Sequence, residues 1–235
     1  MIAGESDFIQ SELYKNTNFA FDIFPGNQNE QTTLKPLESK ILQDFNCSEF
    51  IYCSDSGLGS TANRRFNSLE NRAYIITHSL KKMKKEDREI ALNPTQFRRI
   101  GADKFIDIRT LDESDEEVYN TIYYKEVPVV TGDMDETLIV TYSPKYKAYQ
   151  RKIRARQIER AERIITTPGR KRKGKSQNDP MRFVKKTSVT TDGEIAEKQV
   201  YDLDEEQIQK EEMYDGFYAD PHQEYKTDKI KARII

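Results

Sequence analysis

Apolar positions along the first third of the chain switch between strand-like and helical spacing. Residues 18–24 (Asn-Phe-Ala-Phe-Asp-Ile-Phe) read as a strand closed by a Pro25-Gly26 turn. Leu34, Leu37, Ile41 and Phe45 recur at helical intervals, which predicts one apolar helix face. Thr32 or Thr33 is the expected N-cap, because Pro36 is tolerable only in a first turn. Residues 50–54 (Phe-Ile-Tyr-Cys-Ser) are apolar on both faces, the pattern of a central strand in a covered sheet. Asp55 and the turn Ser56-Gly57-Leu58-Gly59-Ser60 follow. Ala62, Phe66 and Leu69 then mark a short helix, and residues 73–77 the next strand. The order β-α-β-α-β over residues 1–80 predicts an α/β unit with mainly parallel pairing.

The texture changes after Leu80. Residues 81–88 are basic and helical in character, and Asn93-Pro94 breaks them. Residues 105–108, 119–125 and 137–142 read as strands, with a Gly132-Asp133 turn before the last. Ser143-Pro144 is a helix start, with Ser as N-cap and Pro at the first helical position. The helix it opens covers about 144–166, and its stripe of Tyr146, Tyr149, Ile153 and Ile164 predicts loose docking with both tyrosines on the docked side. Residues 168–180 have the composition of a mobile loop. Residues 183–189 and 194–201 flank Asp192-Gly193, a hairpin signal, and residues 204–213 predict a last short helix.

Composition narrows the class. Of 235 residues, 36% are hydrophobic and 33% charged, yet 13 Tyr and 11 Phe are present, so a folded but very polar protein is expected. No stretch approaches the roughly 18 consecutive apolar residues of a membrane span, so no membrane partner is expected. Cys47 and Cys53 lie too close together to suggest a disulfide framework, and the opening MIAGESDF does not resemble a signal peptide. Buried, reduced thiols in a cytoplasmic protein are the expectation.

Charge is segregated. Lys145, Lys147, Arg151, Lys152, Arg154, Arg156, Arg160, Arg163, Arg170, Lys171, Arg172, Lys173 and Lys175 face only Glu159 and Glu162 within 145–175, a local charge of +11. Residues 107–136 carry −8. The basic segment is what contact with a phosphate backbone needs, and it is equally the signature of a solvated helix face followed by a loop.

Candidate chemistry is sparse. Asp55 follows an apolar strand and precedes a glycine turn, where α/β sheets place their sites; the plainer reading is a turn aspartate bonding the amide of Gly57 or Leu58. The glycine loop lacks the Gly-Lys-Ser/Thr ending of a phosphate loop. His78 and His222 are the only histidines, so Cys53 with His78 makes a poor nucleophile pair, and no zinc spacing occurs.

The blocks FAFDIFPGNQNEQTTLKPLESKILQDF, FIYCSDSGLGSTANRRFN, AYIITHSLKKMKKE, LIVTYSPKYKAYQRKIRARQIERA, QNDPMRFVKKTSVTTDGEIAEKQVYDLDEE and YDGFY together resemble bacterial insertion-sequence transposases of the DDE superfamily. The resemblance runs from about Asn18 to Tyr218. It implies an α/β, ribonuclease-H-like mixed sheet bearing an Asp-Asp-Glu triad, with Asp55 as the second aspartate. It also implies a mostly antiparallel β insertion, here 81–218, carrying the long basic helix, and leaves 219–235 as a divergent tail. Cutting and rejoining DNA is phosphoryl transfer at two Mg²⁺ ions about 4 Å apart, held by clustered carboxylates. Asp55 is the only triad member that the resemblance places. Asp7 precedes Phe8-Ile9-Gln10 rather than a Tyr-Asp-x-Thr-like strand, and no Tyr is followed by Arg at +3 and Glu at +7. An incomplete ribonuclease-H-like core from a truncated or frameshifted transposase, inactive alone, is therefore the expectation. Its partners would be DNA and an intact transposase or a complementing fragment. The alternative is a non-catalytic remnant that binds DNA through the basic helix.

Overall fold

Asn29 opens the first helix among the described residues because its side chain accepts a hydrogen bond from the Gln31 amide, satisfying one of the donors that a helix start leaves bare. The computed structural model describes residues 23–26, 28–45, 50–70, 72–167, 176, 178–189, 198–218 and 231–234, and the chain divides into two compact units after Ile76. Among these residues the fold is mixed α/β, with parallel and antiparallel pairing.

The first unit holds α1 (Glu30–Asp44), β1 (Phe50–Ser54), α2 (Thr61–Phe66) and β2 (Arg72–Thr77). Strands β1 and β2 pair in parallel from Phe50↔Arg72 to Ser54↔Ile76, with α2 in the crossover, as the sequence predicts. The strand expected at 18–24 lies mostly outside the described residues, but the turn after it is formed: the Gln28 amide donates to the Pro25 carbonyl over 2.9 Å.

Three expectations are corrected here. Helix α1 starts earlier than the threonines allow, so Pro36 sits inside it; Asn29 outcompetes Thr32 and Thr33 as a cap, and the helix runs on despite the missing Pro36 N–H. Strand β1 is covered on one face only. Tyr52 is buried with Leu34, Tyr74 and Ile76, whereas Ile51 and Cys53 are exposed, so the Cys53 thiol is not a buried one. Helix α2 turns polar side chains inward, with Asn63, Arg64 and Asn67 buried while Leu69 is exposed. Those polar groups join the helices. Asn67 Nδ2 donates to both Glu38 carboxylate oxygens at 3.0 and 2.9 Å, and Asn63 Nδ2 donates to the Gln31 and Leu58 carbonyls. Burial pushes the Glu38 carboxyl above its ordinary range.

The second unit is built on the hairpin of β4 (Tyr123–Thr131) and β5 (Met134–Tyr142), after α3 (Lys85–Leu92), β3 (Arg98–Arg99) and α4 (Glu116–Asn120). Gly132 turns it at φ +64°, as the first central residue of a type II′ turn requires. Residues 138–142 of β5 are buried on both faces. Strand β3 extends the sheet through β4; β8 (Phe217–Tyr218) and β9 (Lys231–Ile234) pair with β5, antiparallel and parallel respectively. The expected tail thus contributes a strand. The strand predicted at 105–108 is reduced to a single bridge, Phe97↔Ile106, and that at 119–125 is displaced by α4, whose Asp115 N-cap accepts from the Val118 amide. The core gathers Leu80, Ala91, Phe97, Ile108, Leu138 and Val140 among others.

Lys125 occupies an inward position of β4 between Tyr123 and Val127. Its ammonium donates to the Ile90 and Asn93 carbonyls at 2.8 and 2.5 Å, capping the end of α3, and lies 4.8 Å from the Phe97 ring centre. Burial pulls its pKa down to about 8, below the 10.5 of a free lysine. Between those values the unfolded chain binds more protons than the folded one, so stability rises with pH there; below about 8 the cost of the buried charge is fully present. The urea midpoint of the wild type, taken relative to Lys125→Met, is expected to climb from neutral pH towards pH 10. A pH-independent difference would count against it.

The remaining elements are α5 (Pro144–Thr166), β6 (Val184–Val189), β7 (Lys198–Leu203) and α6 (Glu205–Glu212). Ser143 caps α5 and Pro144 takes its first position, as expected. Strands β6 and β7 pair antiparallel around the predicted hairpin, whose Asp192-Gly193 turn lies outside the described residues. Phe183, Ala161 and Ile208 form a small core that seats this pair on α5.

Candidate nucleic-acid interface

Helix α5 has 23 residues and is about 35 Å long at 1.5 Å per residue. One side is fixed inward by charge. Arg154 is buried, and its two terminal nitrogens donate to the two Asp215 oxygens at 2.6 Å each. This bidentate pair holds the guanidinium firmly charged, and Glu212 lies at 3.5 Å. Arg151 Nε adds a third bond to Asp215 at 3.3 Å. The residue after Asp215 completes the clasp: the Ser143 amide donates to the Gly216 carbonyl, and the Gly216 amide donates to Gln150 Oε1 over 2.7 Å. Arg182, bonded to Glu211 and Gln157 and stacked 4.0 Å over Phe183, repeats the arrangement further along the helix.

The outer side is different. At 3.6 residues per turn, Lys145, Lys152, Arg156 and Arg163 fall within about 40° of one another, opposite Arg154 and Ala161, with Arg160 and Tyr149 flanking them. All six are exposed. Lys152, Arg156 and Arg160 have no acidic partner among the described residues; Arg163 makes only an exposed 3.7 Å pair with Glu159, and Lys145 touches Asn120 at 3.3 Å. The row runs about 27 Å along the axis.

The thirteen basic residues fall into four sets. Arg154 is corrected from DNA contact to buried clasp, and Arg151 is drawn to the same carboxylate. Lys147 pairs with Glu113 at 2.6 Å, the point where the acidic stretch meets α5. Lys145, Lys152, Arg156, Arg160 and Arg163 form the outer row. Arg170, Lys171, Arg172, Lys173 and Lys175 lie outside the described residues.

Tyr149 is a second correction: it is 59% exposed rather than docked. Its ring stacks on that of Tyr146, with centroids 6.0 Å apart and planes 20° from parallel. Both border a cavity of about 250 Å³ that also meets Ile153, Arg182 and Tyr214. Helical spacing in the sequence already sets Tyr149 between Lys145 and Lys152, and that was the signal for its outward place.

Asp55 follows the end of β1 and is exposed. Its Oδ1 accepts from the Gly57 amide at 2.8 Å, the geometry of a turn aspartate. Among the described residues no three His, Cys, Asp or Glu side chains form a group able to hold a metal, so Asp55 is not joined there by the carboxylates that a pair of Mg²⁺ ions requires. Among the same residues no helix is long and apolar enough to cross a membrane. Neither a family model, nor a curated protein, nor a solved structure matches the chain.

Proposed function

We propose that this chain is a DNA-binding relative of the insertion-sequence DDE transposases and that it holds phosphates along the outer face of α5. The supporting observation is the two-sidedness of that helix. Asp215, which is buried, and Glu113 neutralise its inner cations, while the only acid paired with the outer row of Lys145, Lys152, Arg156, Arg160 and Arg163 among the described residues is Glu159. Phosphate contacts position a protein without reading sequence, so binding is independent of sequence. Neutralising four to five phosphates gives a slope of about −4 for log affinity against log salt. Fluorescence anisotropy on unrelated duplexes tests this. Lys152→Ala, Arg156→Ala, Arg160→Ala and Arg163→Ala combined should flatten the slope and weaken all duplexes equally. These four side chains are exposed, so the fold is retained. An unchanged slope in the quadruple variant overturns the proposal.

Strand cleavage is not part of this reading, because one carboxylate cannot hold two metals. In Mg²⁺ or Mn²⁺, Asp55→Asn should be indistinguishable from wild type on any DNA. Metal-dependent nicking lost in that variant would favour an active transposase instead.

A further inference from the structure

We infer that the outer face of α5 takes an unpaired DNA strand in preference to duplex, with Tyr149 as the platform on which a base stacks. The inference rests on the DNA-binding reading and goes beyond it by naming the form of the nucleic acid. Proteins that hold single strands combine cations that track the backbone with aromatic rings that receive bases, because every base offers a π-face only when it is unpaired. Both parts meet on α5. Tyr149 follows Lys145 by four residues and precedes Lys152 by three and Arg156 by seven, intervals that keep all four on one helix face. Its ring is backed by Tyr146 at 6.0 Å yet remains 59% exposed. The backing matters energetically. A ring already held by its neighbour loses little rotamer freedom when a base lies on it. The Tyr149 hydroxyl suits a phosphate of strand or duplex alike, but only a strand whose bases are free to turn towards the helix offers its ring a face to stack on. Stacking is tolerant of base identity, so this preference for strandedness leaves the binding unspecific in sequence.

The test compares a short oligo(dT), a duplex of the same length and an abasic strand, each titrated against wild type, Tyr149→Ala and Tyr149→Phe over a range of salt. Wild type should bind oligo(dT) more tightly than the duplex. Tyr149→Ala should weaken oligo(dT) about tenfold with the salt slope unchanged, and leave the duplex within about twofold. Tyr149→Phe keeps the π-face and should restore oligo(dT) binding. The abasic strand should bind wild type no better than oligo(dT) binds Tyr149→Ala. Equal loss on strand and duplex, no effect of Tyr149→Ala on oligo(dT), or tighter binding of oligo(rU) than of oligo(dT) would each overturn the inference. If the duplex still binds with the expected salt slope in those cases, the DNA-binding reading survives. If neither strand nor duplex binds in a salt-dependent way, both fall.

Discussion

Asp215→Ala is expected to cost about 3–5 kcal/mol of stability in the unit that begins at Thr77, because it leaves the Arg154 guanidinium buried and uncompensated. Both terminal nitrogens of Arg154 end on Asp215, and only Glu212 at 3.5 Å remains nearby. The reverse change should be milder. In Arg154→Ala, Asp215 keeps Arg151 at 3.3 Å and can turn fully towards it. Removing both charges together, as Arg154→Met with Asp215→Leu, should recover much of the loss, since a buried ion pair is seldom more stable than apolar side chains of similar size. Urea unfolding followed by circular dichroism gives all three values. A loss below about 1 kcal/mol in Asp215→Ala would mean that the clasp does not hold α5, and with it the orientation of the outer row.

What the sequence could and could not tell follows from how far apart the interacting residues lie. Local chemistry was readable. Ser143-Pro144 starts α5, Gly132-Asp133 turns the β4–β5 hairpin, and the Asp192-Gly193 signal between two strand-like runs gives the paired β6 and β7. Each of these depends on a few neighbouring residues. Arg154 was not readable, because its fate depends on Asp215, 61 positions later. In the sequence Arg154 looks the same as Arg156, yet one is buried and the other exposed. Strand β1 misled for a related reason: a run of apolar residues shows that a strand can be covered on both faces, while Ile51 and Cys53 remain exposed. Lys125 was readable in principle. It falls on the inward phase of Tyr123, Val127 and Val129, so alternation already places it inside. The outer row was contained in the number of basic residues, but that number alone could not separate it from the inner cations. In the Tyr-Asp-Gly-Phe-Tyr block, which in the sequence stands only as a mark of resemblance, Asp215 and Gly216 prove to anchor α5 and Phe217 to pack on Tyr142.

Gly216→Ala should be nearly as damaging as the loss of Asp215, for a steric rather than an electrostatic reason. Gly216 has φ +87°, in the left-handed region, and a Cβ there would lie 2.5 Å from Tyr142 Cε2, 2.9 Å from Cδ2 and 3.2 Å from Lys147 Cβ. The Tyr142 ring has little room to yield. It packs edge-on against Phe97 and Phe217 at 6.2 and 5.4 Å, and its hydroxyl donates to Glu113 at 3.3 Å. Left-handed strain of about 1–2 kcal/mol adds to an overpacking cost of about 1–3 kcal/mol. Two other glycines separate these contributions. Gly101 and Gly132 have φ +76° and +64°, and a Cβ at either would meet nothing within 4 Å, so Gly101→Ala and Gly132→Ala carry the strain alone. Unfolding free energies from urea titration should therefore fall by about 1–2 kcal/mol in those two variants and by about 2–5 kcal/mol in Gly216→Ala. Because the Gly216 carbonyl accepts the Ser143 amide and its own amide reaches Gln150, the displaced backbone also loosens the start of α5. Duplex affinity of Gly216→Ala should drop with it, while Gly101→Ala binds as wild type. Equal losses of stability in the three variants would show that the Tyr142 ring gives way and that the contact at Gly216 does not fix the helix.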